Sequence, residues 1–341
     1  MSHSPDSNNP FPQLILAADV GGTKTLLQLR RIDDAQASSG TVVAEQRYAS
    51  QSFDSLEAMV QRFIDEAGQP LPRSACFAVA GPVDGEGAQQ RARLTNLPWQ
   101  LDSRQLTTAL GIPRITLLND FQAIGYSLGE LSASELSPLH PAAAQARGPQ
   151  LVLGAGTGLG VCLVMPDGDH ATSHPSEGGH MAFAPQDAQQ QALLDFLLTD
   201  LERVSYERLI SGSGLVSIYR FLLSRQQEED DALIAAPDPA AAIGERAVAG
   251  DHPLAVDAVT LFTRLYGAFA GDMALACLPT GGVYIAGGIA PKLLPCLQQG
   301  AFMEAFFNKG RMAGLMQRFP VQVITNPQCG LLGAAHYAAR L

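Results

Sequence analysis

Apolar and polar positions along this chain follow two periods, and the switches between them predict its elements. Leu14–Val20 is an apolar run with an acid, Asp19, near its end; Gly21-Gly22-Thr23 interrupts it, and Thr25–Leu29 resumes with β-formers. That pattern predicts two short strands around a Gly-Gly turn, a β-hairpin. Thr41–Tyr48 reads as a third strand. The period then changes. Leu56, Met59, Val60, Phe63, Ile64 and Ala67 recur at i, i+3, i+4 spacing and predict a helix with one apolar face. Asp54 is placed to cap its start with Glu57 as capping-box partner, and Gly68 to cap its end. Ala75–Ala80, closed by Gly81-Pro82, and Ile115–Leu118 read as buried strands. The second ends in Asn119-Asp120, ahead of a helix over Phe121–Leu128. An acid at the carboxyl end of a strand, just before a helix, stands where open α/β sheets make ligand contacts.

Beyond a loop at His140–Gln150 the opening pattern returns: Leu151–Leu153 is apolar, Gly154-Ala155-Gly156-Thr157-Gly158 is a turn, and Leu159–Val164 is apolar again. Strand, glycine turn and strand thus occur twice, a weak internal repeat that predicts a duplicated α/β architecture with a hairpin at the head of each half. Further helices are expected over Gln191–Leu201 and Tyr206–Leu223, with short helices within loops over Gln226–Gly250. Ala255–Leu278 reads as a long buried helix. Gly282–Ala286 is then a strand, Gly287-Gly288 a turn, Ala290–Gln298 a helix, Val321–Thr325 a strand and Leu331–Arg340 a terminal helix.

Composition narrows the functional classes. A length of 341 residues predicts roughly two domains, and 46% hydrophobic against 16% charged residues supplies a packed core. The formal net charge of −11, with only three lysines (Lys24, Lys292, Lys309), argues against a nucleic-acid backbone or an anionic membrane as partner. The five cysteines are scattered without a C-x-x-C spacing, so they read as buried reduced thiols. Met1 to Gln13 lacks the basic start and apolar run of a signal peptide, and no stretch reaches the roughly 18 apolar residues of a membrane helix. A soluble, cytoplasmic protein is expected.

The glycine turns carry the candidate chemistry. Without a Cβ, consecutive backbone N–H groups can close around phosphate oxygens as a concave nest. Two such hairpins could grip a polyphosphate, although a lone Gly-Gly turn also serves as a plain hairpin turn. Neither G-x-x-x-x-G-K-[ST] nor G-x-G-x-x-G occurs, so Walker-type and Rossmann sites lack their fingerprints. Asp19 leads into the first turn, as a Mg²⁺ partner acting through water would. Thr23 and Thr157 place a hydroxyl in each turn.

The ordered set Ala18-Asp19-Val20-Gly21-Gly22-Thr23, Leu118-Asn119-Asp120-Phe121, Gly154-Ala155-Gly156-Thr157-Gly158-Leu159-Gly160, Ser176-Glu177-Gly178-Gly179-His180 and Ala286-Gly287-Gly288-Ile289 resembles the bacterial ATP-dependent glucokinase family, within the actin/hexokinase/Hsp70 ATPase superfamily. Thr95-Asn96-Leu97-Pro98-Trp99, Tyr206-Glu207-Arg208 with Ser211-Gly212, and Gly330-Leu331-Leu332-Gly333 extend the match from about Leu14 to the end. The resemblance implies a duplicated two-domain actin-like ATPase (ribonuclease H-like) α/β fold, with glucose and ATP in an interdomain cleft. It implies a small domain over 1–130 plus 326–341, a large one over 131–325, and a homodimer. The related ROK sugar kinases carry a Cys-rich zinc motif after their Gly-Gly-His segment. Here Gly178-Gly179-His180 runs into Met181-Ala182-Phe183-Ala184-Pro185, so no zinc is expected. The 13 residues before the first strand are too few for the helix-turn-helix of ROK-type repressors.

From the residues alone Asp120 fits either a general base or the cap of the following helix; the resemblance implies the base. It also implies sugar contacts from Asn96, Asn119, Asp120, Glu177, His180 and Glu207. Carboxylates accept from sugar hydroxyls, while Asn and His serve either way. Glu207 could instead pair with Arg203 or Arg208, and Trp99 could line the sugar site or pack its loop. The resemblance places the nucleotide phosphates and Mg²⁺ at Ala18, Asp19, Val20, Gly21, Gly22 and Thr23 and at Gly156, Thr157 and Gly158, with Asp19 serving Mg²⁺. Gly287 and Gly288 would lie near the adenosine, or form an ordinary strand-to-helix turn. Lys24 is expected to point to solvent. A kinase of mannose, glucosamine or N-acetylglucosamine, and a non-catalytic sugar-responsive regulator, are the alternative functions.

Overall fold

The computed structural model describes residues 12–341 except 34–38, 95–96, 169 and 227–231. The chain divides into two compact units, Met1–Leu131 with Gln328–Leu341, and Ser132–Pro327.

In the first unit β1 (Gln13–Val20), β2 (Lys24–Ile32) and β3 (Thr41–Ala49) form an antiparallel meander. Helix α1 (Leu56–Ala67) follows, then β4 (Ser74–Val79). A small sheet of β5 (Val83–Asp84), β6 (Arg91–Arg93) and β7 (Gln100–Asp102), which periodicity does not reveal at such lengths, leads into α2 (Ser103–Leu110). β8 (Arg114–Asn119) and α3 (Asp120–Ser127) complete the run. The main sheet has the order β3-β2-β1-β4-β8, and β4 and β8 lie parallel to β1. Leu16, Ala18 and Val20 face a core shared with Leu56, Met59, Val60 and Phe63 of α1. Ile15 and Ala17 face a thinner layer against Ala123 of α3 and Leu331, Ala334, Ala335 and Ala338 of the C-terminal helix, Cys329–Arg340.

The α1 cap departs from expectation. Ser55, not Asp54, is the N-cap, and its Oγ accepts from the Ala58 N–H at 3.2 Å. The helix starts one residue later than Asp54 capping requires, which puts Glu57 a position short of a capping box. Gly68 does close the helix in the left-handed conformation, with φ 59°.

The second unit repeats the arrangement. After β9 (Leu136–His140), β10 (Gln150–Ala155), β11 (Leu159–Asp167) and β12 (His170–Ser176) form a second antiparallel meander. Helices α4 (Ala188–Leu197), α5 (Gly212–Arg225), α6 (Pro239–Ala249) and α7 (Pro253–Cys277) follow, then β13 (Gly282–Ala286). Short helices α8 (Leu294–Leu297), α9 (Ala301–Phe307) and α10 (Ala313–Met316) precede β14 (Val321–Ile324). The sheet order is β12-β11-β10-β13-β14-β9, with β13 and β14 parallel to β10. A three-stranded meander continued by two parallel strands therefore occurs in both units, the architecture behind the repeat in the sequence. α7 lies in the core of this unit, with Leu265, Tyr266, Phe269 and Ala270 fully buried.

Two helix expectations are redrawn. Tyr206–Leu223 breaks into a single 3₁₀ turn, Tyr206–Arg208, and α5, because Ser211 caps α5 by accepting from the Gly214 N–H at 3.1 Å. Ala290–Gln298 contracts to α8, since Pro295 withholds the backbone donor that would reach the Pro291 carbonyl. Among the described residues no helix is long and apolar enough to cross a membrane.

The C-terminal helix crosses α3 at Gly333, where an added Cβ would come within 1.7 Å of the Ala123 carbonyl oxygen. Arg73 and Ser74 hold its end by donating to the carbonyls of Ala339 and Ala338. Gly333→Ala must push two helices apart. Overpacking of this kind should lower the thermal midpoint by about 5 °C or more. Calorimetric melting of the variant beside wild type checks this, and an unchanged midpoint would disprove the contact.

Candidate active site

Parallel strands bring the candidate residues of the first unit to one sheet edge. Val20 on β1 registers with Val79 on β4, and Val79 with Asn119 on β8. At about 4.8 Å per strand, the turn after β1 and the start of α3 lie roughly 10 Å apart. Asp19 shares a strand face with Ile15 and Ala17 and is half-buried; burial raises its carboxyl above the ordinary aspartate value.

The Gly21-Gly22-Thr23 turn is held from beneath. The Gly21 N–H donates to the Lys24 carbonyl at 3.1 Å, the Ser50 Oγ donates to the Gly21 carbonyl at 2.7 Å, and the Ser50 N–H donates to the Thr23 carbonyl at 3.0 Å. Thr23 and Lys24 are exposed, Lys24 at the solvent-facing start of β2 as expected.

Asn119, not Asp120, caps α3. Its Oδ1 accepts from the N–H groups of Phe121 and Gln122 at 3.0 and 3.2 Å, while its Nδ2 donates to the Gly81 carbonyl at 3.1 Å. With the cap position filled, Asp120 becomes the first helical residue, half-exposed at the positive end of the α3 dipole, and its Oδ1 accepts from the Phe121 N–H at 2.9 Å. Trp99 is buried in the core of this unit, which favours its packing reading. Asn96 lies outside the described residues.

In the second unit the turn Gly156–Gly158 joins β10 to β11. The Gly156 N–H donates to the Gly158 carbonyl at 2.8 Å, and the Gly212 N–H, at the start of α5, donates to the Gly156 carbonyl at 2.9 Å. Thr157 is exposed at the tip. Next to it stands Glu207, whose Oε2 accepts from the Leu159 N–H at 3.0 Å. A Cβ on residue 158 would lie 2.5 Å from that oxygen, so Gly158 makes the approach feasible. The His180 ring bridges two acids, with Nδ1 3.8 Å from Glu207 Oε1 and Nε2 3.6 Å from Glu177 Oε2. Arg203 is engaged elsewhere, its Nη2 donating to the His180 carbonyl at 2.8 Å. Glu177, His180 and Glu207 are thus brought together, with Glu177 the most exposed of the three at 70%.

Supports for this cluster that sequence reasoning missed come from distant segments. A bridge of Ala182 with Ser205, and the Tyr206 N–H donating to the Met181 carbonyl at 3.0 Å, tie the His180 and Glu207 segments together. The buried Tyr206 ring packs at a tilt of 39° against Phe269 with centroids 4.6 Å apart, and its hydroxyl donates to Asp272 Oδ2 at 3.4 Å. Lys309, almost fully buried, pairs with the other oxygen of Asp272 at 2.7 Å. Burial and the Asp272 charge push the Tyr206 hydroxyl up to about 12, so it remains a donor at neutral pH. The scarcity of lysine was the one available signal for Lys309.

Gly287 has φ 83°, and a Cβ there would lie 2.4 Å from the Ala155 carbonyl oxygen. Parallel pairing of Gly154 with Ala286 puts the Gly287-Gly288 turn beside the Gly156–Gly158 hairpin, and Gly288 faces open space. Among the described residues no group of three or more His, Cys, Asp or Glu could hold a metal ion.

Two α/β units of matching strand order, each with a glycine hairpin at its head, define a kinase-type ATPase of the actin-like fold. A solved glucokinase from an Antarctic psychrotroph superposes with a TM-score of 0.83 at 28% identity, covering 97% of this chain and 99% of that one. A ROK family glucokinase from Streptomyces griseus, solved with glucose and AMPPNP, shares the fold with a TM-score of 0.65 at 18% identity, covering 96% of this chain and 100% of that one. The curated glucokinase of Nostoc punctiforme is 44% identical over 345 residues, which span 96% of this chain and 99% of that protein. The family model described as Glucokinase matches residues 16–341, and the chain belongs to that family.

Asp19 offers a test in the unliganded protein. Its folded carboxyl titrates above the unfolded value, so stability present at low pH is lost as pH rises through the folded pKa. Asp19→Asn removes that loss. It should raise the melting temperature at pH 7.5 by a few degrees, with the gain shrinking toward pH 4. Melting curves across pH check this; a lower midpoint at pH 7.5 would contradict the burial argument.

Proposed function

We propose that the protein is an ATP-dependent glucokinase that transfers the γ-phosphate of ATP to the 6-hydroxyl of D-glucose, giving glucose 6-phosphate and ADP. The observation that carries this reading is Asp120 at the carboxyl edge of the same sheet as the Gly21–Thr23 turn, about two strands away. In this reading the Asp120 carboxylate orients the 6-hydroxyl and accepts its proton as the oxygen–phosphorus bond forms and the bond from the γ-phosphorus to the bridging oxygen breaks. Glu177, His180 and Glu207 take the remaining sugar hydroxyls: the carboxylates accept, and the His180 ring donates or accepts. Asn119 contributes through the segment that it caps, and Asn96 is assigned from the resemblance.

Backbone N–H groups of Gly22 and Thr23, and of Thr157 and Gly158, hold the phosphates, while Gly21 and Gly156 close the two turns through their own hydrogen bonds; Ala18 and Val20 frame the first turn, and Gly287 and Gly288 lie beside the adenosine. Mg²⁺ suits this donor set, because it binds through one or two carboxylates together with substrate phosphates and retained waters, and bound there it neutralises charge developing on the transferring group. Asp19, held half-buried, would be the carboxylate partner of Mg²⁺. A reduced cytoplasmic setting suits the five unbridged cysteines, and a homodimer follows from the resemblance.

Coupled detection of ADP with glucose tests the reading directly. Glucose-dependent ADP release is expected, with kcat/KM for glucose above that for mannose, glucosamine and N-acetylglucosamine. A higher value for one of the other hexoses would reassign the substrate. Asp120→Asn should retain glucose binding and lose about 100-fold or more in kcat. Near wild-type turnover in that variant would remove Asp120 from the role of base.

A further inference from the structure

We propose that Ser50, backed by Thr25, is the positioning residue of the Gly21–Thr23 turn, and that it aims the Gly22 N–H outward for the phosphates of ATP. This rests on the reading of that turn as a phosphate site. Ser50 follows β3, 29 residues from Gly21 in sequence, and is completely buried, as is Thr25 on β2. The Ser50 hydroxyl has one proton, and it goes to the Gly21 carbonyl at 2.7 Å. The Thr25 hydroxyl, 3.0 Å away, is therefore the donor to Ser50 Oγ. The Ser50 N–H takes the Thr23 carbonyl at 3.0 Å. One residue thus holds carbonyls on both sides of Gly22.

The peptide plane converts this anchoring into a direction. In a trans peptide the C=O and the following N–H point to opposite sides. With the Gly21 carbonyl drawn inward to a buried hydroxyl, the Gly22 N–H faces outward, as an anion-binding nest requires. Without the Ser50 hydroxyl that peptide unit could rotate, and the nest would have to be reordered on each binding event. A hydroxyl pair that only satisfied buried polar groups would affect stability alone, whereas a positioning role affects nucleotide affinity selectively.

Ser50→Ala is expected to raise KM for ATP about tenfold and lower kcat. Its calorimetric Kd for glucose should stay within twofold of wild type. Thr25→Val, close in shape, should weaken ATP in the same direction, and Thr25→Ser, which keeps the hydroxyl, should restore it; this pair decides the matter if Ser50→Ala does not fold. The proposal is overturned if KM for ATP stays within twofold of wild type in folded Ser50→Ala, or if glucose and ATP affinities fall together. Failure of the functional reading would look different, as absence of glucose-dependent ADP release in the wild type. In that event the calorimetric Kd for Mg-ADP decides: a weaker Kd in Ser50→Ala than in wild type supports the positioning role, and equal values overturn it.

Discussion

In-phase registration of the inner parallel strands is the constraint on which the rest of each unit depends. Because β1, β4 and β8 run the same way, their carboxyl ends fall on one edge, and the register Val20–Val79–Asn119 sets the first glycine turn and the start of α3 at a defined separation. The pairing of β10 with β13 does the same for the Gly156–Gly158 hairpin and the Gly287-Gly288 turn. A shift of one residue would turn every side chain to the opposite face, forcing Leu16 and Ala18 into the thinner layer against the C-terminal helix and Asp19 into the core under α1. The hydrophobic cores on the sheet faces thereby specify the polar geometry at the edges.

Close backbone approach is the second theme. Gly158 admits the Glu207 carboxylate to the hairpin, Gly287 lies against the carbonyl of Ala155, and Gly333 lets the C-terminal helix lie on α3 directly behind the segment that begins with Asp120. None of the three could carry a Cβ without displacing a neighbour. In an acidic chain with Lys24 as the single lysine beside its glycine turns, backbone N–H groups are the donors these turns offer, and backbone is presented best where side chains are absent.

The polar cluster of the second unit shows how a site is braced from its own core. Glu207 is oriented by the Leu159 N–H and by His180, its neighbour Tyr206 is packed against Phe269, and the hydroxyl of Tyr206 reaches an acid paired with a buried lysine. The chain of contacts runs from an exposed carboxylate down to α7. It restrains a short 3₁₀ turn that intrinsic propensity would not hold still.

Local patterns in the sequence determined the elements with strong periodicity: α1, α7, the two glycine hairpins and the strand that ends in Asn119-Asp120. These rest on residues a few positions apart, so spacing alone reveals them. The ordered glycine and acid motifs also carried the family and most of the candidate site. Tertiary structure decided what depends on residues far apart. It gave the α3 cap to Asn119, because the polar partner of that side chain is the carbonyl of Gly81 on another segment. It placed Ser50 under the first turn and Lys309 behind Tyr206, each brought in from a segment with no motif of its own. It buried Trp99 in a core, where packing volume and not hydrogen bonding sets its place. Periodicity records which face of an element is apolar, but only the folded chain determines which distant polar group meets it there.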